Sequence, residues 1–406
     1  MSRHPAAEMR LPPEILGRIV RGIRDPNRVL FQDLTLLQWS KENATLHALS
    51  RVSKMMRIEV IPALWSEVML IEPSRNPQPL EERISNVLGL LKAFEPSYAI
   101  HLQRLSIGSP FSYPKPENFT NNIREILDLS THLRCLELKF NCFSSDTSFI
   151  LLLSSLTFPH LRSFAFSLVN FLEEDLEGPR ILGEFLIRHP LLEIVHLVGD
   201  LVHPNWQRWR KSNPLPILKH FRGDMWYLSM LASSKHLTTL ESYTLNSPGD
   251  TTLRWVHELS ELVNPFSNVT HFTINDDWMS LQEITLRALA QSFPALQFLD
   301  GAAVSEAFLL FISTDIEPMK SCLPNLQQLI MYETCGSQCS VHDSTRFTTP
   351  TDAEIEAAFR YFPFLFPALS STTHVKMTLP AVRPRKRQIM RMHFSAEGPV
   401  VERDEA

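Results

Sequence analysis

Histidines stand where a catalyst would want them. His196, His220 and His271 lie in short alternating apolar stretches, with Asp200, Asp276 and Asp277 nearby in the sequence. Imidazole beside carboxylate is the pairing that general acid–base chemistry uses. All three histidines nevertheless fall within one recurring strand pattern, and stacked repeats bring such positions together without any catalytic need. A second set, Cys335, Cys339 and His342 in a C-x3-C-x2-H spacing, carries three groups that bind zinc. No fourth ligand stands at a fitting distance, Cys322 and His374 being remote in sequence. The cysteines therefore read as free thiols, and neither a metal nor another cofactor is expected. A third set suits contact rather than reaction. In HPNWQRWRKSNPLP, Trp206 and Trp209 sit among Arg208, Arg210 and Lys211, and Trp and Arg dominate interface hot spots. A fourth, RPRKRQIMR, holds Arg383, Arg385, Lys386, Arg387 and Arg391 without an acid and reads as a solvated tail or a nuclear-import patch.

The bulk of the chain narrows these options. It has 406 residues, 44% apolar and 20% charged, with a formal net charge of -5. That balance exerts no general pull on nucleic acid or an anionic membrane. With 12 glycines against 29 prolines, phosphate-cradling loops are not expected, and no G-x-G-x-x-G, G-x-x-x-x-G-K, H-E-x-x-H or G-x-S-x-G occurs. An enzyme is not expected. No apolar run approaches the ~20 residues that cross a bilayer. The start, MSRHPAAEMR, lacks an apolar signal core, so a cytoplasmic or nuclear protein with reduced cysteines is expected.

What must position any site is a repeat. From residue 101 a Φ-x-x-Φ-x-Φ pattern recurs, as in HLQRLSI, HLRCLEL, HLRSFAF, LLEIVHL, NVTHFTI and NLQQLIM. Its anchors are Leu102, Leu133, Leu161, Leu192, Leu218, Leu237, Val269, Leu296 and Leu326, spaced 26 to 32 residues apart except for one step of 19. That is the leucine-rich-repeat signature at its long end, although only Leu133–Asn141 carries the repeat's asparagine. Helical segments lie between anchors at 122–131, 180–189, 252–263 and 281–293, several closed by FP, HP or LP, with a first outer helix at 84–96 ahead of them. Alternating strand and helix imply parallel strands. The expected fold is thus α/β, a horseshoe solenoid over 101–380 with strands inside and helices outside.

Ahead of it lies a different text. In LPPEILGRIV, Pro12 and Pro13 suit a first helical turn, and Ile15, Leu16, Ile19, Val20 and Ile23 form one stripe. A second stripe, Leu46, Leu49, Val52 and Met56, is interrupted at Pro62 and followed by Leu64, Trp65 and Val68. LPPEIL..I, then L..LS.VS and LW..V.L, resembles an F-box, here with a long insertion at 24–44. An F-box followed by divergent repeats resembles fungal F-box/leucine-rich-repeat proteins. That resemblance implies a substrate receptor docking on a Skp-family adaptor, and through it on a cullin–RING ubiquitin ligase. Adaptor contact would then fall on Leu11, Pro12, Ile15, Leu16, Ile19, Leu49, Val52, Leu64, Trp65 and Val68. The alternative is a repeat scaffold whose N-terminal helices only cap the solenoid.

The domain reading is a flexible 1–10, a helical F-box-like 11–70, a transition with the first outer helix at 71–100, the solenoid at 101–380, and a disordered tail at 381–406. Strand residues between the apolar positions face the concave side. An unknown protein target would meet Arg104, Glu137, His196, His220, Arg222, Tyr243, His271, Asp300 and Tyr332 there, together with Trp206 and Trp209.

Overall fold

The computed structural model describes residues 12–24, 36–71, 79–93, 98–109, 117–141, 148–169, 177–199, 213–224, 227–231, 234–242, 256, 259, 266–274, 279–304, 306–314, 319–333, 351–377, 387–395 and 398–405. The chain divides into two compact units, Met1–Ile194 and Val195–Ala406.

The first unit opens on three helices, α1 (Pro13–Ile23), α2 (Leu36–Ser50) and α3 (Lys54–Ser66). They close a small core of Leu16, Val20, Leu46, Met56 and Val60, with Ile23, Leu49, Ala63 and Leu64 packed around it. Arg24 locks the helices together. Its buried guanidinium donates to the Ala63 carbonyl at 2.8 Å and to Asn43 Oδ1 at 2.6 Å, and lies 3.5 Å from Glu42. The stretch 24–44 is therefore no simple loop insertion: its second half begins α2. Nor does Pro62 interrupt α3, which runs through it. Pro62 lies on the exposed side, where the carbonyl it leaves unpaired can meet water.

From α3 the chain passes straight into β1 (Glu67–Ile71), which pairs in parallel with β2 (Arg104–Ser109). The strands β2, β3 (Cys135–Asn141) and β4 (Ser163–Val169) follow in parallel. Between them run α4 (Leu80–Ala93), α5 (Glu117–Leu129), the single turn α6 (Ser148–Leu151) and, after β4, α7 (Glu177–Arg188). The helical domain expected to reach residue 70 thus ends at 66, because Val68 and Leu70 are strand residues buried in the sheet.

In the second unit the strands again follow chain order: β5 (Ile194–Gly199), β6 (His220–Gly223), β7 (Thr239–Ser242), β8 (His271–Ile274), β10 (Phe298–Val304), β11 (Gln328–Glu333) and β12 (Ser371–Met377). A two-residue β9 (Met279–Ser280) pairs with β10. The pairings β6–β7, β7–β8, β8–β10, β10–β11 and β11–β12 are parallel. Helices Glu283–Ser292, Glu306–Thr314 and Asp352–Phe359 lie between strands. Of the helix expected at 252–263, only Val256 and Leu259 are among the described residues, both helical.

One local turn sets every anchor. The N–H groups of Leu102, Leu133, Leu161 and Leu192 donate to the carbonyls of Ala99, Ser130, Phe158 and His189, three residues back. In the second unit Leu218, Leu237, Val269, Leu296, Leu326 and Leu369 do the same. Proline occupies the second turn position at Pro159, Pro190, Pro216, Pro294, Pro324 and Pro367, where its fixed φ pre-forms the bend. The residue after the anchor then bonds to the preceding strand entry, Arg134 N–H to Gln103 O and Arg162 N–H to Arg134 O, each at 2.8 Å. Leu369 is an anchor that the sequence reading did not pick out.

The tail expected to be disordered is instead ordered as a hairpin. β13 (Arg387–Ser395) runs antiparallel to β12, and β14 (Gly398–Glu405) antiparallel to β13. Alternation explains it: Met390 and Met392 are buried, while the charges between them pair across strands. Arg391 bonds Asp404, and Arg403 reaches Glu356 at 2.9 Å. The basic run is thus partly strand rather than solvated tail. Residues 381–386, with Arg383, Arg385 and Lys386, lie outside the described residues.

Candidate functional site

Two surfaces gather the chemistry. The first is the α1–α3 unit. Pro12 is the exposed cap residue of α1. One helical stripe of α1 faces the core through Leu16 and Val20, and its flank leaves Ile15 and Ile19 38% and 39% exposed. In the turn between α2 and α3, Val52 is 71% exposed, and α3 adds exposed Met55 and Ile58, which the sequence reading did not single out.

Five of the residues expected at the adaptor contact are engaged within the chain itself. Leu16 fills the helical core, and Leu64 packs against it. Trp65 stacks on Tyr98 at 4.8 Å between ring centroids, and Val68 is a buried β1 residue. Leu49 is likewise packed against the core. Leu11 lies outside the described residues.

The second surface is the strand face. Side chains alternate along each strand, and in β5 to β8 every second residue is buried while its neighbours remain at least partly open. Register then fixes which open residues share a rung: Arg222 lies opposite Glu241, Glu241 opposite Thr273, and Thr273 opposite Asp300. Glu241 takes two partners. His220 Nε2 is 3.0 Å from its Oε1, and Arg222 Nε is 3.4 Å from its Oε2. The His196 ring meets His220 edge-on at 5.2 Å. Burial acts to raise the Glu241 pKa, but His220, Arg222 and His196 outweigh it and hold the carboxyl below its ordinary value. A carboxylate so held is a weak base and a good ion-pair partner.

Asp300 is in the opposite state. Burial raises its pKa, the Glu241 charge adds to that, and only the Tyr332 hydroxyl and the Gly301 N–H work against it. His271 is exposed; its ring stands 5.6 Å from Phe298, which the sequence reading passed over because it sits in an otherwise apolar stretch. Trp206, Trp209 and Tyr243 lie outside the described residues.

In the first unit the strand face is more closed. Arg104, expected to meet a target, is buried, and so is Ser106. Ser106 Oγ donates to Glu137 Oε2 at 2.7 Å, and Lys139 pairs with the other oxygen. Burial acts to raise the Glu137 pKa, but Lys139, Ser106 and Arg104 hold it below its usual value.

The zinc motif at Cys335, Cys339 and His342 lies outside the described residues. Among the described residues no group of three metal-binding side chains converges. Burial pushes the Cys322 thiol up to about 11, far from thiolate chemistry at neutral pH. No described helix is long and apolar enough to cross a membrane.

Comparison with known proteins adds little. No family model matches the chain, and no curated protein matches it. A chain in the crystal structure of the yeast Rad7 and Elc1 complex aligns over 88% of this chain and 87% of its own, at 12% identity and a TM-score of 0.35, a likeness too loose to carry an assignment.

Proposed function

We propose that this chain is a non-catalytic substrate receptor of a Skp–cullin–F-box ubiquitin ligase. The α1–α3 unit docks on a Skp-family adaptor, and the strand face holds a protein target. The observation that carries this reading is the exposure of Ile15, Ile19 and Val52 on a helical unit that already has a closed core. Branched apolar side chains left out of a finished core are a surface for something else. They coincide with three of the positions at which the sequence resembles an F-box. The receptor then acts by position, raising the effective concentration of target lysines near a charged ubiquitin carrier.

The scaffold reading has its own support. The Trp65–Tyr98 stack and the β1–β2 pairing join the helical unit to the sheet, so capping and docking are both open to it. Deleting residues 1–70 does not separate the readings, because it strips β1 from β2. A surface variant does. Full-length chain is co-expressed with a Skp-family adaptor beside Ile15→Glu/Ile19→Glu. The ligase reading expects capture by the wild type, loss in the variant, and unchanged thermal melting. No wild-type capture, or equal capture by both, leaves the helices as a cap and gives the scaffold reading the lead.

A further inference from the structure

The charges on the strand face of the second unit are unevenly matched. His220 and Arg222 are both committed to Glu241. Asp300, two strands away on the same rung, has no cation within ion-pair distance among the described residues. What it has is neutral: the Tyr332 hydroxyl and the N–H of Gly301. Its Oδ1 is covered and accepts no hydrogen bond from a described residue, while the residue as a whole stays partly open. Between Glu241 and Asp300 the rung carries only Thr273, a short side chain. Strands stand about 4.8 Å apart, so the two carboxylates flank a notch roughly 10 Å wide at the backbone.

The backbone holds Asp300 in this under-compensated state. Gly301 has φ of +91°, a bulge breaks the register between Asp300 and Ala302, and a Cβ at 301 would stand 2.0 Å from the Ile274 carbonyl. Asp300 is therefore placed by the backbone at 301, and the donors it meets, the Tyr332 hydroxyl and the Gly301 N–H, are both neutral. A half-buried carboxylate served only by neutral donors gains from a cation that completes it.

We infer that Asp300 anchors an arginine or lysine side chain of the protein segment that docks on this face. The inference rests on the target-recognition reading above and names the chemistry of the target. The cation lies over Thr273, bonded to Asp300 and in the field of Glu241. An acidic segment is disfavoured there, because Arg222 and His220 are already engaged.

The probe is a random 12-residue peptide library displayed on phage and panned against the full chain. Selected peptides are then synthesised and titrated. The expected result is enrichment for one basic position, with affinity falling about tenfold on Asp300→Asn and about tenfold when that Arg is replaced by its neutral isostere citrulline. The two losses should not add in a double-mutant cycle, because each removes the same contact. Asn keeps the side-chain shape, and a melting curve checks the fold. Additive losses, or peptides with no basic preference whose binding still drops on His220→Ala, would overturn the cation anchor while leaving recognition on this face intact. No selected peptides, or peptides indifferent to His220, Glu241 and Asp300 alike, would overturn both.

Discussion

His189 should make the first unit acid-labile in a way that can be worked from its two nitrogens. It sits at the turn position that Phe158 and Phe293 hold in other repeats, 2% exposed and against the Phe158 and Phe185 rings. Nε2 accepts the Phe158 backbone N–H at 2.9 Å, so the proton belongs on Nδ1, which donates to the Phe185 carbonyl at 2.6 Å. Only one neutral tautomer satisfies both partners. A second proton would face an N–H with an N–H. Burial accordingly pushes the His189 pKa down to about 4, with Arg188 adding repulsion and the Phe185 carbonyl opposing. The sign follows from linkage: below 6.5 the unfolded chain binds the proton and the native state does not. Stability is therefore intact above pH 6.5 and lost as the pH falls toward 4. The loss is about 2 kcal/mol at pH 5 and roughly 3 kcal/mol once both states are protonated. His189→Phe keeps the aromatic packing and drops both hydrogen bonds, at a cost of about 2 kcal/mol at pH 7.5. Urea melts of wild type and variant at pH 7.5 and 5.0 compare the two. The gap should shrink toward zero at the lower pH, since only the wild type pays for protonation. A gap of the same size at both pH values would refute the tautomer argument.

Three further outcomes are expected. Gly301→Ala should destabilise the second unit by more than about 3 kcal/mol, since it combines a left-handed φ with a clash against the Ile274 carbonyl; thermal melting or loss of soluble yield reads it. Arg24→Ala should loosen α1 by about 2 to 3 kcal/mol, because it strands Asn43 and the Ala63 carbonyl, and amide exchange in α1 measures this. Arg83 donates to the Met69 and Ile71 carbonyls of β1, the terminal strand in the sheet order. Arg83→Ala should leave stability within about 1 kcal/mol but bare that edge, so light scattering should rise with protein concentration.

The repeat was legible because its signal is redundant. An apolar anchor and two further apolar positions recur together, at six anchors with a proline turn before them, and each described anchor closes the same four-residue turn. Legibility failed where one part of that signal was missing. After Leu369 the core positions are Thr372 and His374, both buried but neither apolar, so the last parallel strand escaped. β1 escaped because it follows α3 with no turn at all. The hairpin escaped because Met390 and Met392 were outweighed by the charges around them, whose partners in β14 are visible only after pairing. At the site, alternation places His220, Arg222 and Asp300 on one face, but the sequence does not show that Glu241 engages both His220 and Arg222. On α1 the stripe was plain; that Leu16 faces in while Ile15 and Ile19 face out depends on where α2 and α3 lie.

The alternation in β5 to β8 also bears on how such a chain can change over generations. Core and contact residues share a strand yet never share a side of it, so the two sets of codons are nearly independent. Substitutions at 196, 220, 222, 241 or 271 alter what the face presents without touching Val195, Leu197, Phe221, Leu240 or Phe272 beneath it. Position 300 has the same freedom on its side chain, whereas position 301 has almost none, because its conformation belongs to the backbone. On the target-recognition reading proposed above, lineages that inherit this scaffold would exchange one partner for another by a few point mutations without disturbing the core.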